Sequence, residues 1–188
     1  MFELATERLL LRDLQAEDEP AMALLRLDPL VTRYIDYIAS DTAEEVRAWL
    51  FATMEHNARL PRESWNLAIV RRADGAVLGW IGIGQSSQPE RGELDFGYAL
   101  LPRYQGQGYA AEALRSLMAW CFEHLGIQRI YGECDARNLA SARVMEKAGL
   151  LPDPCPGPDG GDELRFALDR TTWAGRASPP PPGRRSAT

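Results

Sequence analysis

A glycine-containing turn between a strand pattern and a helix pattern constrains the fold of this 188-residue chain most strongly. Residues 93–100 alternate large apolar side chains with small or acidic ones, which is the period-two pattern of a half-buried strand. Residues 108–125 place their apolar side chains on one helical stripe, and Gly126 follows as a stop signal. Gly106 and Gly108 stand in between. We therefore expect a strand, a tight turn and a long helix that begins at this turn.

The patterns on either side of this unit predict a mixed α/β fold. Asp74-Gly75 predicts a tight hairpin, because glycine supplies the positive φ that the turn needs. A capping-box pattern at Asp41 and Glu44 predicts a helix that reaches about His56. Further strands are expected over residues 8–12, 65–70, 76–84, 129–135 and 163–169, and further helices over residues 17–27 and 138–148. We expect an antiparallel meander up to residue 100, and then a parallel step to the strand at 129–135.

Composition supports one domain over residues 1–173 and a flexible, proline-rich tail over 174–188. The net charge of −6 makes nucleic acid an unexpected partner, and the absence of a long apolar run or a leader pattern predicts a cytoplasmic protein without membrane contact. Three cysteines without paired spacing predict neither a disulfide framework nor a metal site. Lysine occurs once against 20 arginines, which is typical of a GC-rich bacterial genome.

The turn over residues 101–110 has the chemistry of an anion-binding site. The free N–H groups and positive dipole end at a helix N-terminus can hold a diphosphate. The segment lacks the lysine and hydroxyl of a Walker loop, and its strand belongs to an antiparallel meander rather than a Rossmann unit. Tight packing of the strand against the helix would also require Gly106 and Gly108. The turn alone therefore leaves binding and packing open.

Gln105-x-x-Gly108-x-Ala110 resembles the acyl-CoA pyrophosphate motif of the GNAT acyltransferases. The resemblance covers residues 6–173, and this stretch is similar to the ribosomal-protein alanine N-acetyltransferase branch of the family. Its other matching segments are residues 6–12, Gly97-Tyr98 before Pro102, Asn138-x-x-Ser141 with residues 144–150, and residues 168–173. It implies a mostly antiparallel sheet of six to seven strands with about four helices. It also implies acetyl-CoA as co-substrate and no metal.

The resemblance assigns the CoA-binding residues. It implies that backbone groups at the turn hold the phosphates, that the preceding strand pairs with the pantetheine arm, and that Asn138 caps its helix and contacts CoA. The implied residues are Tyr98, Ala99, Leu100, Gln105, Gly106, Gln107, Gly108, Tyr109, Ala110 and Asn138. It places the thioester in a gap between the strand at 93–100 and the strand at 129–135.

Amine acetylation needs a proton acceptor, and three carboxylates are candidates: Asp95, Glu93 and Glu133. Asp95 stands where the family commonly has glutamate, so its shorter side chain is expected to act through water. Ser141 is a candidate hydrogen-bond donor to the leaving thiolate, although a serine in a first helical turn needs no functional reason. Because the family transfers the acyl group directly, Cys134 is expected to be a buried thiol rather than a nucleophile.

Three aromatic residues, Tyr34, Tyr37 and Trp80, are candidates for the acceptor pocket, whereas Trp49 fits ordinary packing on a helical stripe. The resemblance implies an N-acetyltransferase whose acceptor is a primary amine, either a protein N-terminus or a small molecule. Two alternatives stay open at this point, transfer of a longer acyl group such as succinyl and a CoA-binding sensor without turnover. A homodimer is compatible with each of these three functions.

Overall fold

The computed structural model describes residues 1–35, 39, 42–85, 92–154 and 163–174. Within these residues eight strands form one sheet: β1 (Glu3–Ala5), β2 (Leu9–Asp13), β3 (Ser64–Arg71), β4 (Val77–Gln85), β5 (Glu93–Leu100), β6 (Arg129–Asp135), β7 (Leu151–Pro152) and β8 (Glu163–Asp169). The same residues form six α-helices: α1 (Glu19–Arg26), α2 (Pro29–Thr32), α3 (Ala43–Asn57), α4 (Tyr109–His124), α5 (Leu139–Ala148) and α6 (Arg170–Ala174). The mixed α/β class is confirmed. No described helix has the length and apolar character that crossing a bilayer requires.

The sheet is antiparallel at every junction except one. Its strand order is β1-β2-β3-β4-β5-β6-β8-β7, and only β5 and β6 pair in parallel. The predicted meander and parallel step are therefore confirmed. The sheet has more strands than the six to seven expected because β1 and β7, at three and two residues, are too short to show a period-two pattern. Helices α2 and α6 are likewise too short to show a helical stripe.

Two hydrophobic layers cover the two faces of the sheet. Helices α4 and α5 cover one face, where Leu114 and Phe122 are fully buried with Ile81 of β4. Helices α1 and α3 cover β2, β3 and β4 on the other face, where Leu50 packs with Ala68. Because successive residues of a strand point to opposite faces, β4 and β5 contribute to both layers.

Local sequence signals explain most element boundaries. Gly75 has φ +72° at the β3–β4 turn, as the hairpin prediction required. The start of α3 differs from the prediction by one residue: Thr42 is the N-cap and Glu45 completes the capping box. Thr42 has an extended backbone, and its hydroxyl accepts from the Glu45 N–H at 3.2 Å, which satisfies a free donor of the first turn. Asp41 lies outside the described residues.

Candidate active site

The parallel junction between β5 and β6 opens into a gap. The two strands pair only at Glu93 with Arg129, Leu94 with Ile130 and Asp95 with Tyr131. Beyond these positions residues 96–100 pair only with β4, and residues 132–135 pair only with β8. The backbone of β5 therefore has free hydrogen-bonding groups on the side of the gap, where a ligand can pair with it. The gap predicted between these two strands is present, and Asp95 lies at its closed end.

A cleft of about 450 Å³ runs from this gap to the start of α4. Nine of the ten residues that the family resemblance assigns to CoA line it: Tyr98, Ala99, Leu100, Gln105, Gly106, Gly108, Tyr109, Ala110 and Asn138. Gln107 does not line it; its side chain donates to the Arg103 carbonyl at 3.0 Å. The cleft volume is typical of small-molecule sites.

The glycine turn gives α4 an open N-terminus at the cleft. Gly108 is the N-cap of α4 with φ +82°, and Gly106 has φ +74°, conformations that side chains other than glycine rarely adopt. The first intrahelical bond runs from the Glu112 N–H to the Gly108 carbonyl at 3.1 Å. The preceding N–H groups of the turn have no partner within the helix and can bind an anion.

Arg8, which immediately precedes β2, contacts this turn and holds it in place. Its Nη1 donates to the Gln107 carbonyl at 3.1 Å, and its Nε forms an ion pair with Glu112 at 2.6 Å. Thr6 donates to the same carboxylate at 2.6 Å. Burial alone would raise the pKa of Glu112, but these hydrogen bonds outweigh it, so its pKa is lowered and the bracing carboxylate stays ionised. No local pattern predicts this contact, because Arg8 and Glu112 are 104 residues apart.

Two polar side chains that line the cleft form hydrogen bonds with the backbone and stabilise its walls. Gln105 donates to the Leu100 carbonyl at 2.9 Å and so holds the end of β5 against the turn. Asn138 accepts from the Ser141 N–H at 3.1 Å as the N-cap of α5, which matches the capping expectation. The capping bond uses the oxygen of Asn138 and leaves its amide N–H groups for other partners.

Three side chains that can exchange hydrogen bonds meet across the gap. The Tyr98 hydroxyl lies 2.8 Å from Ser141 Oγ and donates to the Ser141 carbonyl at 3.1 Å. Burial raises the pKa of the Cys134 thiol, while a hydrogen bond with Ser141 opposes the rise. All three residues line the cleft. Sequence reasoning assigned only the backbone of Tyr98 and missed its hydroxyl, because β5 and α5 are far apart in the chain.

A second cavity of about 430 Å³ lies on the face of the sheet that carries α3. Asp95, Gly97 and Trp80 line it together with residues that sequence reasoning missed, His56, Glu63, Ser64, Asn66, Gly82 and Gly84. Cross-strand pairing places Ser64, Gly84 and Asp95 in one row, and Asn66, Gly82 and Gly97 in the next. Gly82 and Gly84 of β4 present no side chain to this cavity. Phe96 and Gly97 line both the cleft and this cavity, so the two spaces meet there.

The three candidate bases have different surroundings. Burial raises the pKa of Asp95, and the charge of Glu133 raises it further. No described residue other than Asp95 itself donates a hydrogen bond to its carboxylate. Glu133 lines the cleft and accepts from Arg165 at 3.4 Å. Glu93 faces Arg129 and Arg165 at 3.7 and 3.8 Å and lines neither space. A carboxylate without a cationic partner and with a raised pKa suits proton transfer, which favours Asp95.

The aromatic residues predicted to line the acceptor pocket do not lie together in the structure. Trp80 lines the second cavity and is 8% exposed; its indole N–H is buried without a partner among the described residues. Tyr34 lines the cleft instead, beside the gap. Tyr37 lies outside the described residues. Trp49 packs edge-on against Trp80 with ring centroids 6.4 Å apart, in agreement with its expected packing role.

Comparison with known proteins agrees with this geometry. Residues 8–151 match the family model described as the acetyltransferase (GNAT) domain. The chain belongs to the GNAT acetyltransferase family. The FsC-acetyl coenzyme A-N(2)-transacetylase of Aspergillus fumigatus is 30% identical to it over 90% of this chain and 77% of that protein. The matched span covers the glycine turn, the gap and both cavities.

Solved acetyltransferase structures share the fold. An acetyltransferase from Agrobacterium tumefaciens is 28% identical to this chain, with a TM-score of 0.73. The alignment covers 89% of this chain and 94% of the Agrobacterium chain. A ribosomal L7/L12 α-N-protein acetyltransferase in complex with coenzyme A is 20% identical, with a TM-score of 0.74 over 91% of this chain and 99% of its own. The resemblance to the GNAT family seen in the sequence is therefore confirmed, and these proteins have the same fold as this chain.

Proposed function

We propose that this GNAT protein is an acetyl-CoA-dependent N-acetyltransferase that moves an acetyl group onto a primary amine by direct attack in a ternary complex. One observation carries the proposal: two cavities on different sides of the sheet meet at Phe96 and Gly97, beside the closed end of the gap. One cavity ends at an anion-binding turn, and the other contains a buried carboxylate. This arrangement suits a phosphate-bearing donor and an amine acceptor that react where the cavities meet.

The residues of the cleft fit CoA. The turn at Gly106 and Gly108 has positive φ angles and presents helix N–H groups to an anion. The free backbone of residues 96–100 can pair with the amide groups of the pantetheine arm. Bound acetyl-CoA would supply the acetyl group as a thioester at the gap. In the proposed site Tyr98, Ala99 and Leu100 hold the arm, Asn138 contacts CoA, and the turn over residues 105–110 holds the phosphates.

Asp95 would accept the proton of the amine. A primary ammonium ion cannot attack until it loses a proton, and a carboxylate with a raised pKa is a stronger base than one in water. As the new C–N bond forms and the C–S bond breaks, the amine proton passes to Asp95 directly or through one water. Glu133, across the gap, raises the basicity of Asp95 through its charge and is the alternative base on the cleft side.

The leaving sulfur would be stabilised from the opposite wall of the gap. Ser141 can donate its proton toward the sulfur if Tyr98 turns its single hydroxyl proton from the Ser141 carbonyl to Ser141 Oγ, which lies 2.8 Å from the Tyr98 oxygen. Backbone N–H groups of β5 that face the gap can polarise the thioester carbonyl. Ser141→Ala should therefore lower kcat less than loss of the base does.

The acceptor would enter through the second cavity, where Glu63 and Asp95 supply negative charge and Trp80 forms a wall. Negative charge attracts amines, which are protonated at neutral pH. The name of the Aspergillus fumigatus relative describes transfer to an N(2) atom, which supports nitrogen as the acceptor atom. A protein N-terminus and a small-molecule amine both suit a cavity that is open to solvent.

The test is thiol release from acetyl-CoA across a panel of amines and N-terminal peptides. Release with one class of acceptor would support the proposal and name the substrate, with Asp95→Asn as the inactive control. Faster release from succinyl-CoA than from acetyl-CoA would contradict the acetyl donor. CoA binding without release for any acceptor would contradict turnover and favour a CoA-binding sensor.

A further inference from the structure

The indole N–H of Trp80 is a buried hydrogen-bond donor without a partner among the described residues. Trp80 is 8% exposed and lines the second cavity, so the donor is shielded from bulk water but lies beside a space that a ligand can enter. In the described part of the chain one other buried side-chain nitrogen lacks a hydrogen bond, Arg165 Nε, and it still lies 3.2 Å from the Asp153 carboxylate. Unpaired buried donors destabilise a protein and are rare, so the Trp80 donor calls for an explanation.

The Trp80 ring leans along β4 toward Asp95. A β-carbon at Gly82 would lie 2.6 Å from Trp80 Cζ2, so this edge of the indole lies over Gly82, where only glycine leaves room for it. The indole N–H is on the same edge of the ring system as Cζ2. Gly84 is the next residue on this face of β4, and it pairs directly with Asp95. Because residues two apart on a strand are separated by about 6.5–7 Å, the donor lies roughly one such step from the Asp95 row.

The charges around the cavity restrict what this donor can bind. Glu63 and Asp95 line the cavity, and the described lining residues include no lysine or arginine. The side-chain oxygen of Asn66 also lies over Gly82, 2.8 Å from the position of the same β-carbon. These oxygens would repel the carboxylate of a ligand. An uncharged oxygen, such as an amide carbonyl or a hydroxyl, can accept from the indole without that repulsion.

We infer that Trp80 determines acceptor specificity: its indole N–H donates to an uncharged oxygen of the acceptor whose amine lies at Asp95. The inference rests on the proposed function, since it assumes that the amine reacts beside Asp95. With hydrogen bonds of about 3 Å at both ends, the spacing suits an amine and an oxygen about three bonds apart, as in an amino amide or a 2-amino alcohol. The donor is shielded from water, so it gives up little hydration when it binds this oxygen.

The test compares three small acceptors at saturating acetyl-CoA: L-alaninamide, L-alanine and (S)-3-methylbutan-2-amine. The last has the skeleton of alaninamide with methyl groups in place of the amide oxygen and nitrogen. Each kcat/KM is expressed per neutral amine, because the three amines differ in pKa. The wild type should prefer alaninamide over the hydrocarbon amine by roughly 10- to 100-fold, because only alaninamide pairs with the buried donor. It should also prefer alaninamide over alanine, whose carboxylate is repelled.

Trp80→Phe keeps an aromatic ring and removes the N–H. It should lower the ratio of kcat/KM for alaninamide to that for the hydrocarbon amine by roughly 10- to 100-fold. The ratio cancels the general effect of the smaller ring. The loss should fall mainly on the KM for alaninamide, since the contact is made in the ground state as well as in the transition state.

Trp49→Phe is the matched control. Trp49 packs edge-on against Trp80 but lines neither the cleft nor the second cavity, so this variant perturbs the packing of Trp80 and keeps its donor. It should keep the wild-type ratio. An unchanged ratio in Trp80→Phe, or equal use of alaninamide and the hydrocarbon amine by the wild type, would overturn the inference. Failure of the wild type to acetylate any amine is a different result, which contradicts the proposed function itself.

A second measurement observes the donor without turnover. The sequence contains five tryptophans, so the spectrum of ¹⁵N-labelled protein has few indole N–H signals, and Trp80→Phe identifies the signal of Trp80. In the presence of CoA, which has no acetyl group to transfer, alaninamide should move this signal downfield as the N–H gains a hydrogen bond. The hydrocarbon amine should not. Equal shifts with both amines would contradict the contact between Trp80 and the acceptor oxygen.

Discussion

Asp95 shows how one residue acquires reactive properties from its position. It is the last residue of β5 that pairs with β6, so its carboxylate lies where the sheet opens. Burial raises its pKa, and the charge of Glu133 across the gap adds to the rise. The same aspartate on an exposed strand would titrate near pH 4 and would be a poor base at neutral pH.

Asp95→Asn should lower kcat by roughly a hundredfold or more and leave CoA affinity nearly unchanged, because general base catalysis commonly contributes that much. In the wild type, kcat/KM should rise with pH through the raised pKa of Asp95, and the variant should lose this acidic limb. Steady-state kinetics from about pH 5 to 9.5 measures both. Glu63→Gln, which removes a charge from the rim of the same cavity, should alter mainly KM. Wild-type kcat for Asp95→Asn at every pH would exclude it as the base and implicate Glu133 or Glu93.

Asp95 should also reduce stability. Because its pKa is raised in the folded state, ionisation is less favourable there than in the unfolded chain, so stability falls as the pH rises above the unfolded pKa and levels off above the folded pKa. We expect Asp95→Asn to have a higher Tm than the wild type at about pH 7 to 8, by roughly 2–4 °C for each kcal/mol gained in a chain of this size. The difference should shrink as the pH falls and level off below about pH 4.

Asp74→Asn should change the Tm in the opposite direction and serves as a comparison for Asp95→Asn. The hydrogen bond from Arg71 lowers the pKa of Asp74, so ionisation of this exposed carboxylate favours the folded state. Its loss should lower the Tm slightly at neutral pH, with the effect fading as the pH falls through the lowered pKa. A Tm for Asp95→Asn below that of the wild type at neutral pH would show that Asp95 has a stabilising partner.

At the scale of elements, the two ends of α4 differ in function, although a glycine with positive φ flanks each of them. Its C-terminus ends at Gly126 with φ +67°, which only stops the helix, whereas its N-terminus begins at Gly108 with φ +82° in the cleft. A β-carbon at Gly126 would meet nothing within 4 Å, and one at Gly108 would lie 3.5 Å from Arg8 Nη2. Both positions impose the same backbone strain on a side chain, but only Gly108 lies where phosphates would bind.

Gly108→Ala and Gly126→Ala should therefore destabilise the free protein alike, by roughly 1–2 kcal/mol each for a left-handed alanine. Only Gly108→Ala should reduce the rise in Tm that saturating acetyl-CoA gives the wild type, since its methyl group would lie in the cleft where the phosphates are proposed to bind. Thermal denaturation with and without acetyl-CoA measures both effects. An equal ligand-induced rise in the two variants would exclude the turn as the phosphate site.

At the scale of the whole molecule, the sheet separates the proposed donor cleft from the proposed acceptor cavity, and the two spaces meet at one point. The cleft and the second cavity share only Phe96 and Gly97 among their described lining residues. The proposed function therefore expects both substrates to be bound at once, without a covalent enzyme intermediate. Cys134 lies in the cleft, but burial raises the pKa of its thiol, which makes it a weak nucleophile at neutral pH.

Initial-rate kinetics should give intersecting double-reciprocal lines, as a ternary complex requires. Cys134→Ala should keep kcat within about threefold of the wild type, because the thiol has no role in the proposed direct transfer. Parallel lines, together with an acetylated Cys134 peptide in mass spectrometry after incubation with acetyl-CoA alone, would instead establish a covalent route.

Local patterns predicted most of the fold because the relevant signals lie within a few residues of each other. The period-two run at 93–100 corresponds to β5, and the helical stripe predicted over 108–125 corresponds to α4 within one residue at each end. The α3 start was displaced by one residue because Asp41 and Thr42 both resemble caps, and backbone geometry selected Thr42. The short edge strands β1 and β7 were missed because they depend on pairing with β2 and β8 rather than on a pattern of their own.

The sequence by itself determined the order of elements, the glycine turn before α4 and the family resemblance, because each is written in residues that are neighbours along the chain. Only the tertiary structure decided that Tyr98 faces Ser141, that Arg8 braces the turn and that Asp95 lies at the closed end of the gap. These contacts join residues 43 to 104 positions apart or depend on where two strands stop pairing. Register and packing of the whole sheet set such distances, and no local pattern encodes them.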